Sequence, residues 1–207
     1  MENQKQNLKQ NIFLKKDENI LVVKRDCLFP LQAWQGIEKP KNDQFLETIM
    51  ARKEFLPRSL MEHDVSYKQI IPYLVFKHAD KYFLMQRKAK ASEQRLKSKY
   101  SLGIGGHIRQ EDIKNADIAH WARREFHEEV DYNGNFEVKF LGILNDDSND
   151  VGKVHVGFVY LLEGNSPDIS VKSELQSGQL VTIAACARFY DRMEGWSKIV
   201  FDYIYAS

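Results

Sequence analysis

Residues Gly105 to Tyr132 hold a glycine pair, Gly105-Gly106, followed by Arg124, Glu125, Glu128 and Glu129. On a helix, positions i, i+3 and i+4 share a face, so Glu125, Glu128 and Glu129 gather on one side. Carboxylates at that spacing repel one another unless a positive charge lies among them, and an all-oxygen cluster suits a hard cation such as Mg2+. Arg124 adjoins Glu125 and precedes Glu128 by one helical turn, where its planar fork can hold a carboxylate. The bland alternative is a solvated acidic helix face. Two features argue against it. The acids sit near the C-terminal end of the helix, where the dipole disfavours them. The glycine pair before the helix lets backbone approach a ligand closely.

These residues need elements to position them. Ala119, Ala122, Phe126 and Val130 recur as a core-facing stripe. The glutamates are offset from that stripe and fall at the rim between core and solvent, as an open metal site requires. Upstream, Gln69 to Val75 and Lys81 to Met85 flank His78-Ala79-Asp80 and predict a hairpin. Pro72 predicts an edge position or a bulge. Tyr100 to Ile104 re-enters the core before the glycines. Downstream, Phe136 to Leu144 and Val154 to Leu162 predict two strands around an acidic loop, Asn145 to Asp150, whose Asp146, Asp147 and Asp150 could reach the metal site, although a solvated hairpin loop is the favoured reading. A short strand is expected over Leu180 to Ile183 and a last helix over Trp196 to Tyr205. Strands outnumber helices, and the strongest helix lies between two strand groups. The expected architecture is α+β, a mixed β-sheet covered by helices. Residues 67–207 form the expected catalytic domain. Residues 1–66, with a strand at Ile20 to Val23 and helical spacing from Phe45, read as an N-terminal extension packing on or swapping with it.

Composition narrows the function. The chain has 207 residues, 43% hydrophobic and 12% aromatic, which describes one folded domain or one domain with an extension. Lys and Arg number 30 against 29 Asp and Glu, so nothing global argues for nucleic acid or an anionic membrane. Cys27 and Cys186 lie in apolar surroundings and read as buried free thiols. No apolar run reaches the ~18 residues of a membrane span. The first residues, MENQKQNLKQ, lack the apolar core of a signal peptide, so a cytoplasmic location is expected.

The glycine pair and REFHEEV together resemble the Nudix box, whose pattern is Gly, five residues, Glu, seven residues, then Arg-Glu-apolar-x-Glu-Glu-x-Gly-apolar. Gly106 matches the first glycine, and Arg124, Glu125, Phe126, Glu128, Glu129 and Tyr132 match the second half in order. The gap from Gly106 to Arg124 is four residues longer than the pattern, so the first Glu corresponds to Glu111 or Asp112. Asp131 stands where the pattern has its late glycine.

The resemblance to the Nudix hydrolase (MutT-like) superfamily implies an α/β/α sandwich. It also implies a Mg2+- or Mn2+-dependent hydrolase of a diphosphate bond in a nucleoside diphosphate linked to another moiety. By carry-over, Glu125, Glu128 and Glu129 ligate metal with the Gly106 carbonyl, and Arg124 orients Glu125 or Glu128. Family members often take a further carboxylate from a later loop, for which Glu174 is the first candidate and Asp168 the second.

The basic stretch around Lys88 to Lys99 offers Arg87 and Lys99 for substrate phosphate, with His107 after the glycines; a solvated loop is the alternative for each. His155, alternating with apolar residues, reads as a satisfied core-edge histidine. Two other readings stand beside the hydrolase. One is a non-catalytic nucleotide-binding or regulatory module of the same fold. The other is a diphosphate isomerase of the isopentenyl type, which needs a cysteine near the glycines that Tyr100 to His107 lacks. The partner expected is a nucleotide-type small molecule, and the long N-terminal arm invites a homodimer.

Overall fold

The computed structural model describes residues 17–39, 44–88, 98–115, 118–172 and 175–206. In chain order, β1 (Asn19–Lys24), α1 (Arg25–Leu28), β2 (Gly36–Glu38), α2 (Gln44–Arg52), β3 (Glu54–Pro57) and α3 (Arg58–Met61) precede the long hairpin β4 (Tyr67–His78) and β5 (Lys81–Arg87). Then β6 (Tyr100–Ser101) and β7 (Gly103–Gly105) lead through a 3-10 turn at Gln110–Asn115 into α4 (Ile118–Glu129). After it come β8 (Val130–Tyr132), β9 (Phe136–Asn145), α5 (Asp150–Val154), β10 (His155–Gly164), β11 (Ile169–Val171) and β12 (Leu175–Thr182). The chain closes through α6 (Ile183–Cys186), a second 3-10 turn at Ala187–Arg192 and α7 (Gly195–Tyr205).

One mixed sheet runs β12-β5-β4-β10-β9-β2, with β4 and β10 parallel and adjacent. Both strands are apolar and buried almost throughout, as parallel neighbours covered on both faces must be. Alternate residues of β4 serve opposite faces. Leu74 and Phe76 join the core with Phe126 and Val130, whereas Tyr73 and Val75 join the core with Val200 and Phe201 of α7. The sheet is therefore sandwiched between α4 and α7, the expected α/β/α arrangement. Phe126 is fully buried and stacks on Phe76, with ring centroids 5.5 Å apart. That contact sets the rotation of α4 and turns the glutamate face away from the core.

Several expectations are sharpened or corrected. Pro72 lies on the central strand β4, opposite Phe158, rather than at an edge. On the other side β4 pairs with β1 through Gln69 and with β7 from Tyr73 onward, so Pro72 falls where one partner gives way to the next. A ladder break tolerates the missing N–H. The segment before residue 67 supplies β1, which pairs with β4, and β2, which pairs with β9. The acidic loop is not a solvated hairpin tip. Asp146 is 2% exposed and accepts hydrogen bonds from Gln35, Ser148 and Asn149. Asp147 pairs with Arg25 and with the fully buried Lys68, whose Nζ donates to Asp147 Oδ1 at 2.7 Å, Gly152 O at 2.7 Å and His155 O at 3.1 Å. These bonds pin the β9–β10 connection onto β4. Cys186 is buried and free; Cys27 is free but half-buried. Among the described residues no helix is long and apolar enough to cross a membrane.

Candidate active site

Gly106 follows β7, and α4 crosses beside it. A Cβ built on Gly106 would fall inside the contact distance of Glu125 Oε1 and 3.1 Å from its Cγ, so only glycine leaves room for that carboxylate. Arg124 bridges the cluster. Its guanidinium pairs with Glu128 one turn on, lies 3.6 Å from Glu125 Oε2, and donates to Asp112 Oδ1 at 2.9 Å. Asp112 also accepts from the Arg109 N–H at 2.8 Å, so the turn after the glycines is tied to the helix. Of the two residues compatible with the first box Glu, Asp112 meets Arg124, while Glu111 is exposed.

Glu125 is only 15% exposed. Burial, then the charge of Glu128, pushes its carboxyl up to about 7, against the opposing pull of Arg124; Glu129 adds to the rise. Arg124, with a smaller pull from Arg109, does not offset the burial and crowding of this carboxylate. A hard cation would lower its energy, and the donor set, carboxylate oxygens beside a backbone carbonyl, fits Mg2+ or Mn2+. The helix ends without its box glycine because Lys172 takes over its last carbonyls. The Lys172 N–H donates to Glu129 O at 2.9 Å, its ammonium donates to His127 O, and it pairs with Asp131 at 3.4 Å.

A cavity of about 420 Å3 opens beside the glycines. Its wall includes Gly105, Gly106, Arg87, Lys99 and His107. Arg87 extends from the end of β5, its N–H donating to Lys99 O at 3.0 Å. Its side chain lies 3.6 Å from Glu194, which receives the Ser101 hydroxyl. Tyr73 contributes its hydroxyl to the same buried group, 2.8 Å from Ser197 Oγ. His107 hydrogen-bonds Gln69 Oε1 at 2.7 Å, and burial, then the nearby Arg58 charge, holds its imidazole down at about 3. It is therefore neutral at physiological pH.

The structure thus gathers Gly106, Arg124, Glu125 and Glu128 around one carboxylate cluster, with Glu129 close enough to raise Glu125, and places Arg87, Lys99 and His107 along one cavity. Glu174 lies outside the described residues. Asp168 is exposed in the turn before β11, its N–H donating to Ser166 Oγ. The cavity also takes Arg58, Glu62, Asp146, His155, Glu194 and Trp196, which sequence reasoning passed over or read as bland. Arg58 and Glu62 stand four residues apart and Asp146 belongs to the acidic loop, but no spacing along the chain links these stretches to one another or to His155, Glu194 and Trp196.

A mixed sheet between α4 and α7, with an arginine-braced carboxylate cluster packed on a glycine, defines the class, and the chain belongs to the Nudix hydrolase superfamily. It is 34% identical over 208 residues to protein YmaB of Bacillus subtilis strain 168, covering 91% of this chain and 98% of that one. Its fold matches the crystal structure of Tm1382, a protein assigned to the Nudix hydrolases, with a TM-score of 0.76 and 32% identity, over 90% of this chain and 98% of the other. The Nudix domain of Shewanella oneidensis NrtR shares the fold at a TM-score of 0.53 and 12% identity, over 67% of this chain and 87% of the other. No family model matches the sequence.

Proposed function

We propose that the protein hydrolyses a diphosphate bond in a nucleoside diphosphate linked to another moiety, with Mg2+ or Mn2+ as cofactor. The observation that carries this reading is Glu125, buried between Gly106 and Arg124 beside Glu128 and Glu129, with Gly106 itself part of the wall of a cavity that also carries cationic side chains. Glu125, Glu128, Glu129 and the Gly106 carbonyl would hold the metal, and Glu174 is retained as a further ligand. A bound divalent cation neutralises bridging phosphate oxygens and lowers the pKa of water.

The chain's own residues do the rest. Arg124 keeps Glu125 and Glu128 in register through its planar fork. One of Glu125, Glu128 and Glu129 would accept the proton released as water attacks phosphorus and the P–O–P bridge breaks. Arg87 and Lys99 would bind the substrate's phosphate oxygens, and neutral His107, whose Nε2–H is given to Gln69, would offer Nδ1 as an acceptor to a substrate N–H or O–H. Positioned charge of this kind supplies most of the rate in phosphoryl chemistry. A nucleotide-type substrate is in keeping with the ADP ribose bound by the NrtR Nudix domain. We also propose a cytoplasmic setting. The test is a panel of nucleoside diphosphate derivatives, dinucleoside polyphosphates and nucleoside triphosphates, read by product mass with Mg2+ and Mn2+. Glu128→Gln and Glu129→Gln should each abolish metal-dependent turnover with unchanged melting. Full turnover in both variants would overturn the reading.

A further inference from the structure

A second cluster in the cavity uses none of the α4 carboxylates. Glu62, His107 and His155 each bring one ligand atom within 4.8 Å of the other two. They come from three separate places: the end of α3, the residue after Gly106, and the first residue of β10. The two imidazole rings lie 5.8 Å apart between centroids.

Each is held by a second group, and those groups decide which atom keeps the lone pair that can ligate. Gln69 Nε2 donates to Met61 O at 3.1 Å, so Gln69 Oε1 is the atom that meets His107 Nε2 at 2.7 Å. An amide oxygen only accepts, so Nε2 carries the proton and Nδ1 of neutral His107 carries the lone pair. His155 Nδ1 lies 2.7 Å from Val151 O, which also only accepts, placing the His155 lone pair on Nε2. Arg58 Nε donates to Glu62 Oε1 at 3.0 Å and leaves Oε2 for a second partner. A histidine whose outer N–H is locked on a carbonyl, and a carboxylate whose outer oxygen is hydrogen-bonded, are the usual supports of metal ligands.

We propose that Glu62, His107 and His155 form a site for a borderline divalent transition ion, of the Zn2+, Co2+ or Ni2+ class, distinct from the Glu125 cluster. Two imidazole nitrogens and one carboxylate oxygen select such ions over Mg2+, which prefers oxygen alone. Tetrahedral ligands at ~2.0–2.1 Å from zinc stand about 3.4 Å apart, so binding draws these atoms inward by small side-chain rotations. Three protein ligands leave one coordination position for water or an anionic oxygen of a molecule in the cavity. The Arg58 charge opposes a cation here, and its bond to Glu62 offsets that by fixing the carboxylate.

The inference does not rest on the hydrolase reading, and its test reads metal rather than turnover. The full chain, stripped with chelator, is titrated with Co2+ alone. The wild type should develop the strong visible bands of low-coordinate cobalt at one equivalent. Zn2+ should quench them, and excess Mg2+ should not. Glu62→Gln and His155→Gln should each lose the bands, with Glu62→Gln melting as the wild type does, and Glu128→Gln should keep them. Three results would overturn the site: no bands in the wild type, bands retained in a folded Glu62→Gln protein, or bands lost in Glu128→Gln.

Discussion

The Cα of Gly106 and the carboxylate of Glu125 occupy adjoining space with no room for a methyl group between them. The obstructing atoms belong to the far end of a side chain that can rotate, and Gly106 does not adopt positive φ. Gly106→Ala should therefore fold normally and push Glu125 aside. A displacement of about 1 Å in a positioned group costs roughly a hundredfold in rate. We expect turnover to fall by about that factor while the melting temperature stays within about 2 °C of wild type. Steady-state kinetics beside a thermal melt checks both.

Glu125 connects activity to stability. Its folded carboxyl stands near 7, above its ordinary 4.5, so the folded state binds the proton more tightly than the unfolded state does. Its stabilising share is complete below about 4.5 and is lost as pH rises through 7. In chelator at pH 8, Glu125→Gln should be more stable than wild type by about 2 kcal/mol, and the two should converge near pH 4.5. The variant should be inactive at every pH. Mg2+ should narrow the stability gap at pH 8 by favouring the ionised carboxylate. Melts across pH, with and without Mg2+, read all of this.

Lys68 and Asp147 depend on each other. Burial draws the Lys68 ammonium down and Asp147 opposes that, while Asp147 itself is held well below the usual carboxylate range by Arg25 and Lys68 against its own burial. Asp147→Asn leaves a fully buried ammonium without its counter-charge and should cost about 3 kcal/mol at pH 7. A depressed carboxyl contributes stability above its unfolded pKa and loses it as pH falls below about 4. The wild type should therefore lose stability on acidification more steeply than Asp147→Asn. Urea titrations between pH 7 and pH 3 give both slopes.

Lys99 and Arg87 line the same cavity but differ in what else they hold. Lys99→Ala should raise KM about tenfold, the loss of roughly 1.4 kcal/mol of binding, with little change in kcat or melting. Arg87 also faces the largely buried Glu194, so Arg87→Ala should raise KM and destabilise the fold by about 1–3 kcal/mol. A melt that moves for Arg87→Ala and not for Lys99→Ala separates the two roles.

The carboxylate site was legible because its logic is local. The helical period places Arg124, Glu125, Glu128 and Glu129 on one face, Phe126 and Val130 on another, and a glycine pair at a strand end marks a close approach. The hairpin about Ala79, the paired strands after residue 136 and the last helix were equally local, each following from a short run of apolar residues and a turn. The cavity is of the other kind. The Arg58–Glu62 pair, Asp146, His155 and Glu194 belong to separate stretches, and they meet because β4 pairs with β1 on one side and with β10 on the other. No spacing along the chain encodes a meeting made by strand pairing across a hundred residues or so. Even the expected edge place of Pro72 and the solvated tip at Asp146 followed sound local rules that long-range pairing and burial overrode. The order of residues alone determined which side chains α4 would present and what chemistry they suit. Tertiary packing decided that Gly106 would lie against Glu125, that Asp112 would meet Arg124, and that two histidines and a glutamate from separate elements would share one cavity, since only the closed sheet brings those elements within bonding distance.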